Sequence, residues 1–286
     1  MIIRLIKNAY LTNIAYIYIT YINQIIKLRI FKIKCFFLKI NLHNKSHLHN
    51  KFRNHSDKAC HIIGSGYSLN DSKGKINNED FVIGFNFAAL ANLDFDLFFF
   101  EFAGKKCADV SNKQKEALKY LIQNKKNNIY FKNALLPRND LNFLYDHYGN
   151  DINIIEDIIL QNRSTSTFDI IYNLMYNEKS NLFMQYNSSL FFCINVAKSI
   201  GFKTIIFHGV DFKGPYFFDN LKSDDFFENN HYEKRELNQN HSINKTSYGL
   251  EGYLSFLISK MENEVSFYCA TNKTPLKKYL KNFYED

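Results

Sequence analysis

From Cys60 onward the chain alternates short apolar runs with longer amphipathic ones. The runs His61–Ile63, Phe81–Phe85, Leu97–Glu101, Asn128–Phe131, Ser180–Phe183, Thr204–His208 and Glu264–Tyr268 read as strands. Between them, Lys113–Asn124, Thr167–Tyr176, Ser189–Ile200 and Gly249–Met261 repeat their apolar positions with the helical period. Strands alternating with helices at this spacing predict an α/β fold, a Rossmann-like, mostly parallel sheet with helices on both faces. The polar run Phe217–Asn240 has little periodicity and is expected to form a flap, because uninterrupted loops of that length are usually functional or disordered. No internal repeat is visible.

Residues 1–58 differ from the rest. They hold eleven Lys and Arg against one acid, Asp57, a net +10, so residues 59–286 carry −2 of the chain's +8. The body is therefore close to neutral, and nucleic-acid binding by it loses its main support. Asn8–Ile26 is uncharged but diluted by Asn, Thr and Gln, too polar for a comfortable bilayer span. Lys27–Ile40 alternates basic with apolar residues, and with the neighbouring tyrosines it suits the surface of an anionic membrane. A helical extension packed on the body or on a second subunit, in a homo-oligomer, is the plainer alternative. His43–His55 reads as a polar linker, so the expected division is an extension, 1–58, and one domain, 59–286, with the flap at 217–240. The five cysteines are scattered without a CxxC pair, which argues against a disulfide framework or a metal ribbon and fits a reducing compartment.

Candidate chemistry gathers at expected strand ends, where ligands collect in open α/β sheets. The first place is Gly64-Ser65-Gly66-Tyr67-Ser68-Leu69, whose glycines would let main-chain N–H groups approach a phosphate. Asn86 follows the second strand, either as ligand contact or as an ordinary turn residue. Gln185-Tyr186-Asn187-Ser188-Ser189 precedes an apolar helix, where Ser188 or Ser189 can cap the helix or face a nucleotide. The fourth place runs from His208-Gly209-Val210-Asp211 through Lys213 and Tyr216 to Asp219. Asp94-Phe95-Asp96 has the outline of a metal-binding Asp-x-Asp, but strand-entry residues explain it more simply, and no metal or other cofactor is expected.

The segment Met184–Phe212, with Ser188-Ser189, Gly201-Phe202-Lys203 and Gly209-Val210-Asp211-Phe212, resembles the bacterial lipo-oligosaccharide sialyltransferases of glycosyltransferase family 42. Gly64–Leu69 is similar to that family's Gly-x-Gly-Pro-Ser-Leu turn, Phe85-Asn86 to its Cys-Asn pair, and Leu118–Asn124 to one of its helices. The likeness covers about Ile62 to Tyr268 with gaps and omits the basic extension. It implies inverting, metal-independent transfer of sialic acid from its CMP conjugate to a hydroxyl of a glycan or glycolipid acceptor. It would place Gly64, Ser65, Gly66, Ser68, Asn86, Ser188, Ser189 and Asp211 around the donor. His241, in His241-Ser242-Ile243-Asn244, becomes the general base, and an imidazole with an ordinary pKa of about 6.5 suits proton transfer near neutrality. Tyr216 matches one of two phosphate-holding tyrosines; the other falls on Lys213, which offers phosphate a point charge instead.

Two departures touch the sugar end. The family's arginine falls on Tyr186, and its acceptor-side asparagine falls on Glu101. Another CMP-activated acidic sugar, such as Kdo, is therefore the natural competitor. A pterin pyrophosphokinase-like enzyme, which would need magnesium and carboxylates, and a non-catalytic protein of envelope assembly are the other readings. The resemblance and the basic extension together imply a cytoplasmic protein, peripheral on the inner face of the bacterial cytoplasmic membrane.

Overall fold

A computed structural model of the chain describes residues 2–102, 108–124, 128–132, 138–148, 151–161, 164–186, 188–218 and 250–285. In chain order the elements are α1 (Ile2–Phe37), β1 (Asn41–His43), α2 (Lys45–Phe52), β2 (Ala59–Ile63), β3 (Phe81–Phe85) and β4 (Leu97–Phe100). There follow α3 (Ala108–Asn124), β5 (Ile129–Lys132), α4 (Arg138–Tyr148), β6 (Asn153–Ile155), β7 (Asp157–Leu160) and α5 (Phe168–Met175). The last are β8 (Phe183–Tyr186), α6 (Ser189–Ile200), β9 (Thr204–His208), α7 (Leu250–Met261), β10 (Ser266–Cys269) and β11 (Lys281–Asn282).

Nine strands form one sheet in the order β1-β6-β5-β4-β3-β2-β9-β10-β11, and every pairing in it is parallel. β7 and β8 form a separate parallel pair. A parallel sheet must bury both faces, and the sequence does so with apolar runs such as Phe81–Phe85 in β3 and Leu97–Phe100 in β4. In β4, Leu97 and Phe99 join the core under α5, α6 and α7, while Phe98 and Phe100 join the core that includes α3 and α4. The expected α/β architecture is therefore the observed one.

No glycine or proline occurs before Gly64, so nothing interrupts the N-terminal helix. α1 runs unbroken through both the uncharged and the basic stretches and ends where Lys39 adopts φ 54° and Ile40 N–H returns to the Cys35 carbonyl. One face is anchored by buried Ile17, Leu28 and Cys35, by Tyr16 Oη donating to Gln161 Oε1 at 3.0 Å, and by Lys32 paired with Glu156 at 2.7 Å. The stretch read as a polar linker is built in: β1 pairs with β6, and α2 buries Leu48 and Phe52. Its histidines explain why the sequence concealed this. His43 bonds Asn153 at 2.8 Å, and His49 bonds the Ser199 carbonyl at 2.7 Å, so polar side chains tie the segment to the sheet and to α6.

From β2 the chain proceeds through β3, β4 and β5 in one direction across the sheet, whereas β9 lies on the other side of β2 and leads to β10. The gap between the carboxyl ends of β2 and β9 is thus a topological switch point, the position where open α/β sheets form a crevice.

Candidate functional site

At the switch point the chain extensions beyond β2 and β9 lock together. Gly64 N–H donates to the His208 carbonyl at 2.8 Å and Gly66 N–H to the Gly209 carbonyl at 2.7 Å. A Cβ on Gly66 would lie 2.3 Å from Asp211 Oδ2, and one on Gly64 would lie 2.5 Å from the Gly209 oxygen. Asp211 is buried, and its carboxylate accepts from Ser68 N–H at 2.8 Å and from the Ser68 hydroxyl at 2.6 Å. Burial raises the Asp211 pKa, while the Ser68 bonds oppose the rise. The glycines therefore serve close approach of two protein loops. The N–H groups of Gly64, Gly66 and Ser68, expected to face a phosphate, are directed at β9 and Asp211 instead. Ser65 contributes its carbonyl to Phe217 N–H at 3.1 Å, and Tyr216 forms an antiparallel bridge with Gly66. The Tyr216 ring lies against Phe87 and stacks on Phe218, centroids 5.4 and 5.0 Å away.

Beside this turn lies a second polar group, built from the ends of β3, β4 and β5 and the start of α6. Asn86, in the left-handed region at φ 51°, accepts from Glu101 N–H through Oδ1 at 3.2 Å, which fixes its amide orientation. Its Nδ2 donates to Ser189 Oγ at 3.2 Å and, at 3.5 Å, to Glu101 Oε1. Lys132 closes β5 with a side chain wholly withdrawn from solvent; it pairs with Glu101 and donates to Gln185 Oε1 at 2.7 Å and Ser189 Oγ at 2.9 Å. Gln185 Nε2 in turn donates to buried Asp157 at 2.9 Å. Both neighbours of the Ser189 oxygen are pure donors, so the Ser189 hydroxyl hydrogen is left for another acceptor. Sequence reasoning missed Lys132 and Asp157. The signal was present, since a lysine ending the run Ile129-Tyr130-Phe131 occupies the same sheet edge as Asn86.

The remaining expected residues divide. Ser188 is the N-cap of α6, its hydroxyl oxygen accepting from Leu190 N–H at 3.2 Å. Lys213 is exposed, its N–H bonded to the Asp211 carbonyl. Tyr186, assigned to the acceptor side by resemblance, is fully buried among Phe168, Phe191 and Tyr253, so its ring packs in the core below the edge. Asp96 accepts from Val82 N–H at 2.8 Å, a strand-entry role that takes one carboxylate from any metal reading of Asp94-Phe95-Asp96. His241 and most of the expected flap, residues 219–249, lie outside the described residues. His208 is buried within a chain of hydrogen bonds running Asp80, His61, His208, Ser72.

No family model matches the chain, and no curated protein matches it by sequence. Among solved structures it is similar to the sialyltransferase CST-II in complex with a trisaccharide acceptor and CMP, at 18% identity and a TM-score of 0.46, over 79% of this chain and 86% of that one. The Campylobacter jejuni enzyme in complex with a substrate analogue, CMP-3FNeuAc, aligns with the same coverage, identity and score. MAf glycosyltransferase from Magnetospirillum magneticum is similar at 11% identity and a TM-score of 0.44, over 83% of this chain and 37% of that one.

Proposed function

We propose that this chain is an inverting, metal-independent glycosyltransferase that moves sialic acid from its CMP conjugate to a hydroxyl of a surface glycan, a lipo-oligosaccharide or capsule. The observation that carries the reading is convergence at one sheet edge. The locked β2–β9 turn stands on one side, and Asn86 with the Ser189 hydroxyl at the head of α6 on the other. A helix N-terminus headed by a free hydroxyl proton suits a phosphate. The choice of cytidine rests on the sequence resemblance across Ile62–Tyr268.

In this reading the bond from the anomeric carbon to the phosphate oxygen breaks and CMP departs with the electron pair. The acceptor oxygen bonds from the opposite face and passes its proton to His241. Tyr216 and Lys213 assist the departing phosphate. A thermal-shift comparison of CMP, CDP, UDP and GDP tests the nucleotide class. CMP at a hundred times its Kd is expected to add about 2.7 kcal/mol of stability. An equal response to all four, or none to CMP, removes the cytidine reading.

The enzyme is further proposed to work at an anionic membrane surface. Among the described residues no helix is long and apolar enough to cross a bilayer. The solvent face of α1 nevertheless carries Ile19, Ile22, Ile26, Ile30, Ile33 and Phe37, each more than half exposed and three or four residues apart. Lys27, Arg29, Lys34 and Lys39 accompany this stripe. An apolar helix face beside an excess of basic residues favours anionic lipid over a second, equally basic copy of the chain. The wild-type chain is expected to sediment with anionic vesicles and not with zwitterionic ones, and the triple change Ile22→Glu, Ile26→Glu, Ile33→Glu to stay in the supernatant. Unchanged sedimentation of the triple variant, with a dimer turned into monomer, would assign the stripe to self-association.

A further inference from the structure

We propose that Lys132 receives the carboxylate of the donor sugar, with Glu101 as a counter-ion that the incoming carboxylate displaces. This rests on the reading above, that the donor is a CMP-linked acidic sugar.

A buried ammonium needs acceptors for its protons and a negative charge nearby. Lys132 has three acceptors, of which Gln185 and Ser189 are neutral and held in place. Gln185 is pinned by Asp157, and Ser189 opens α6. Glu101 supplies the charge and is held differently. It stands just beyond β4, its side chain is 14% exposed while that of Lys132 is not exposed at all, and its further side-chain contact is the long one from Asn86 at 3.5 Å. The carboxylate therefore occupies the solvent side of the pair. Its backbone stays bonded to Asn86 Oδ1 while the side chain rotates, so displacement needs no movement of the sheet.

The exchange selects for acidity. A sugar carboxylate that replaces Glu101 leaves the ammonium neutralised and hydrogen-bonded. A neutral sugar cannot do so, because removing Glu101 would strand a buried cation, and breaking such a pair on one side is strongly unfavourable. With Glu101 still in place, an acidic sugar would bring a second carboxylate to one ammonium. Binding and displacement are thus one event.

Calorimetry with CMP and with CMP-3-fluorosialic acid, a donor analogue chosen because it resists turnover, separates the possibilities. Glu101→Gln is expected to leave the Kd for CMP within about twofold and to tighten binding of the analogue about threefold or more, since nothing charged must be displaced. Lys132→Met is expected to lower the ratio of analogue to CMP affinity about tenfold or more. Should Lys132→Met fail to fold, Glu101→Gln decides alone. A ratio of analogue to CMP affinity that Glu101→Gln leaves unchanged or lowers would overturn the assignment of Lys132. Failure of wild type to bind CMP would instead overturn the cytidine reading, so the two failures are distinct. A merely structural ion pair would move the melting temperature of Glu101→Gln without moving that ratio.

Discussion

Gly66→Ala is expected to abolish the thermal stabilisation by CMP and to lower the stability of the free protein, while Gly74→Ala changes neither. The added methyl would lie 2.3 Å from Asp211 Oδ2, 2.7 Å from Asp211 Cγ and 2.8 Å from the Gly209 oxygen. None of these can yield cheaply. Two of them are the carboxylate group that holds Ser68 through both its N–H and its hydroxyl, and the third is backbone that accepts from Gly66 itself. Overpacking of this kind costs about 1–3 kcal/mol, and each hydrogen bond to the carboxylate lost in relieving it about 1.5–3 more. The relief must pull β2's turn away from β9's, which opens the edge where the donor is proposed to bind. At Gly74 a Cβ meets nothing within 4 Å, which makes it the matched control. His241→Ala separates binding from chemistry. It should keep the CMP response and lower kcat about 10²–10⁴-fold, the range for loss of a general base. A full CMP response in Gly66→Ala, measured by thermal shift, would show that the locked turn is not part of the nucleotide site.

Much of the sheet could be read from local pattern because a parallel strand buried on both faces is a plain apolar run. Phe81–Phe85 and Thr204–His208 appear in the structure with the bounds the pattern predicts, and Ser189–Ile200 ends at Gly201, where φ is 111°. Short strands carry no such pattern. β1, β6 and β11 span only two or three residues, and His43 in β1 is polar for a reason visible only across the sheet, its bond to Asn153. The strand expected at Ser180–Phe183 lies at Phe183–Tyr186, because Gln185, polar in sequence, is buried by Lys132 and Asp157. The site shows the same limit. Glycine spacing located the turn, but the partner of each glycine lies on β9's extension, about 145 residues away in the chain, so a loop-to-loop lock and a phosphate cradle look alike until the strands are paired. Lys132 was overlooked because a lysine after three apolar residues marks a strand's exit to solvent unless a carboxylate from the next strand is waiting for it.

Acidification is expected to destabilise the protein from about pH 6.5 downward, through the pair beneath the Gly64–Leu69 turn. His61 Nε2 lies 3.0 Å from Asp80, His61 Nδ1 lies 2.9 Å from His208 Nε2, and His208 Nδ1 lies 3.0 Å from Ser72 Oγ. With both rings neutral, one set of tautomers assigned from this network satisfies every contact: Ser72 donates to His208, His208 to His61, and His61 to Asp80. A single proton is accommodated by reversing His208 and turning the Ser72 hydroxyl to the Ser68 carbonyl, 3.4 Å away. A second would set two N–H groups against each other. Burial lowers the His61 pKa against the opposing pull of Asp80, and burial, then the charges of His61 and Lys75, hold His208 well below the ordinary value. Above about pH 6.5 neither the native nor the unfolded histidines are charged, and the stabilisation is complete. Below it the unfolded chain binds protons that the native pair refuses, so stability falls by up to about 1.4 kcal/mol per pH unit for each histidine. Denaturant unfolding at pH 7, 6 and 5 measures the slope, and His208→Gln should remove about half of the pair's share. An identical slope in wild type and His208→Gln would mean that the acid sensitivity arises elsewhere. A slope that halves while CMP affinity also loses its acid dependence would tie the histidine relay to the turn above it, since Ser72 and Ser68 belong to both.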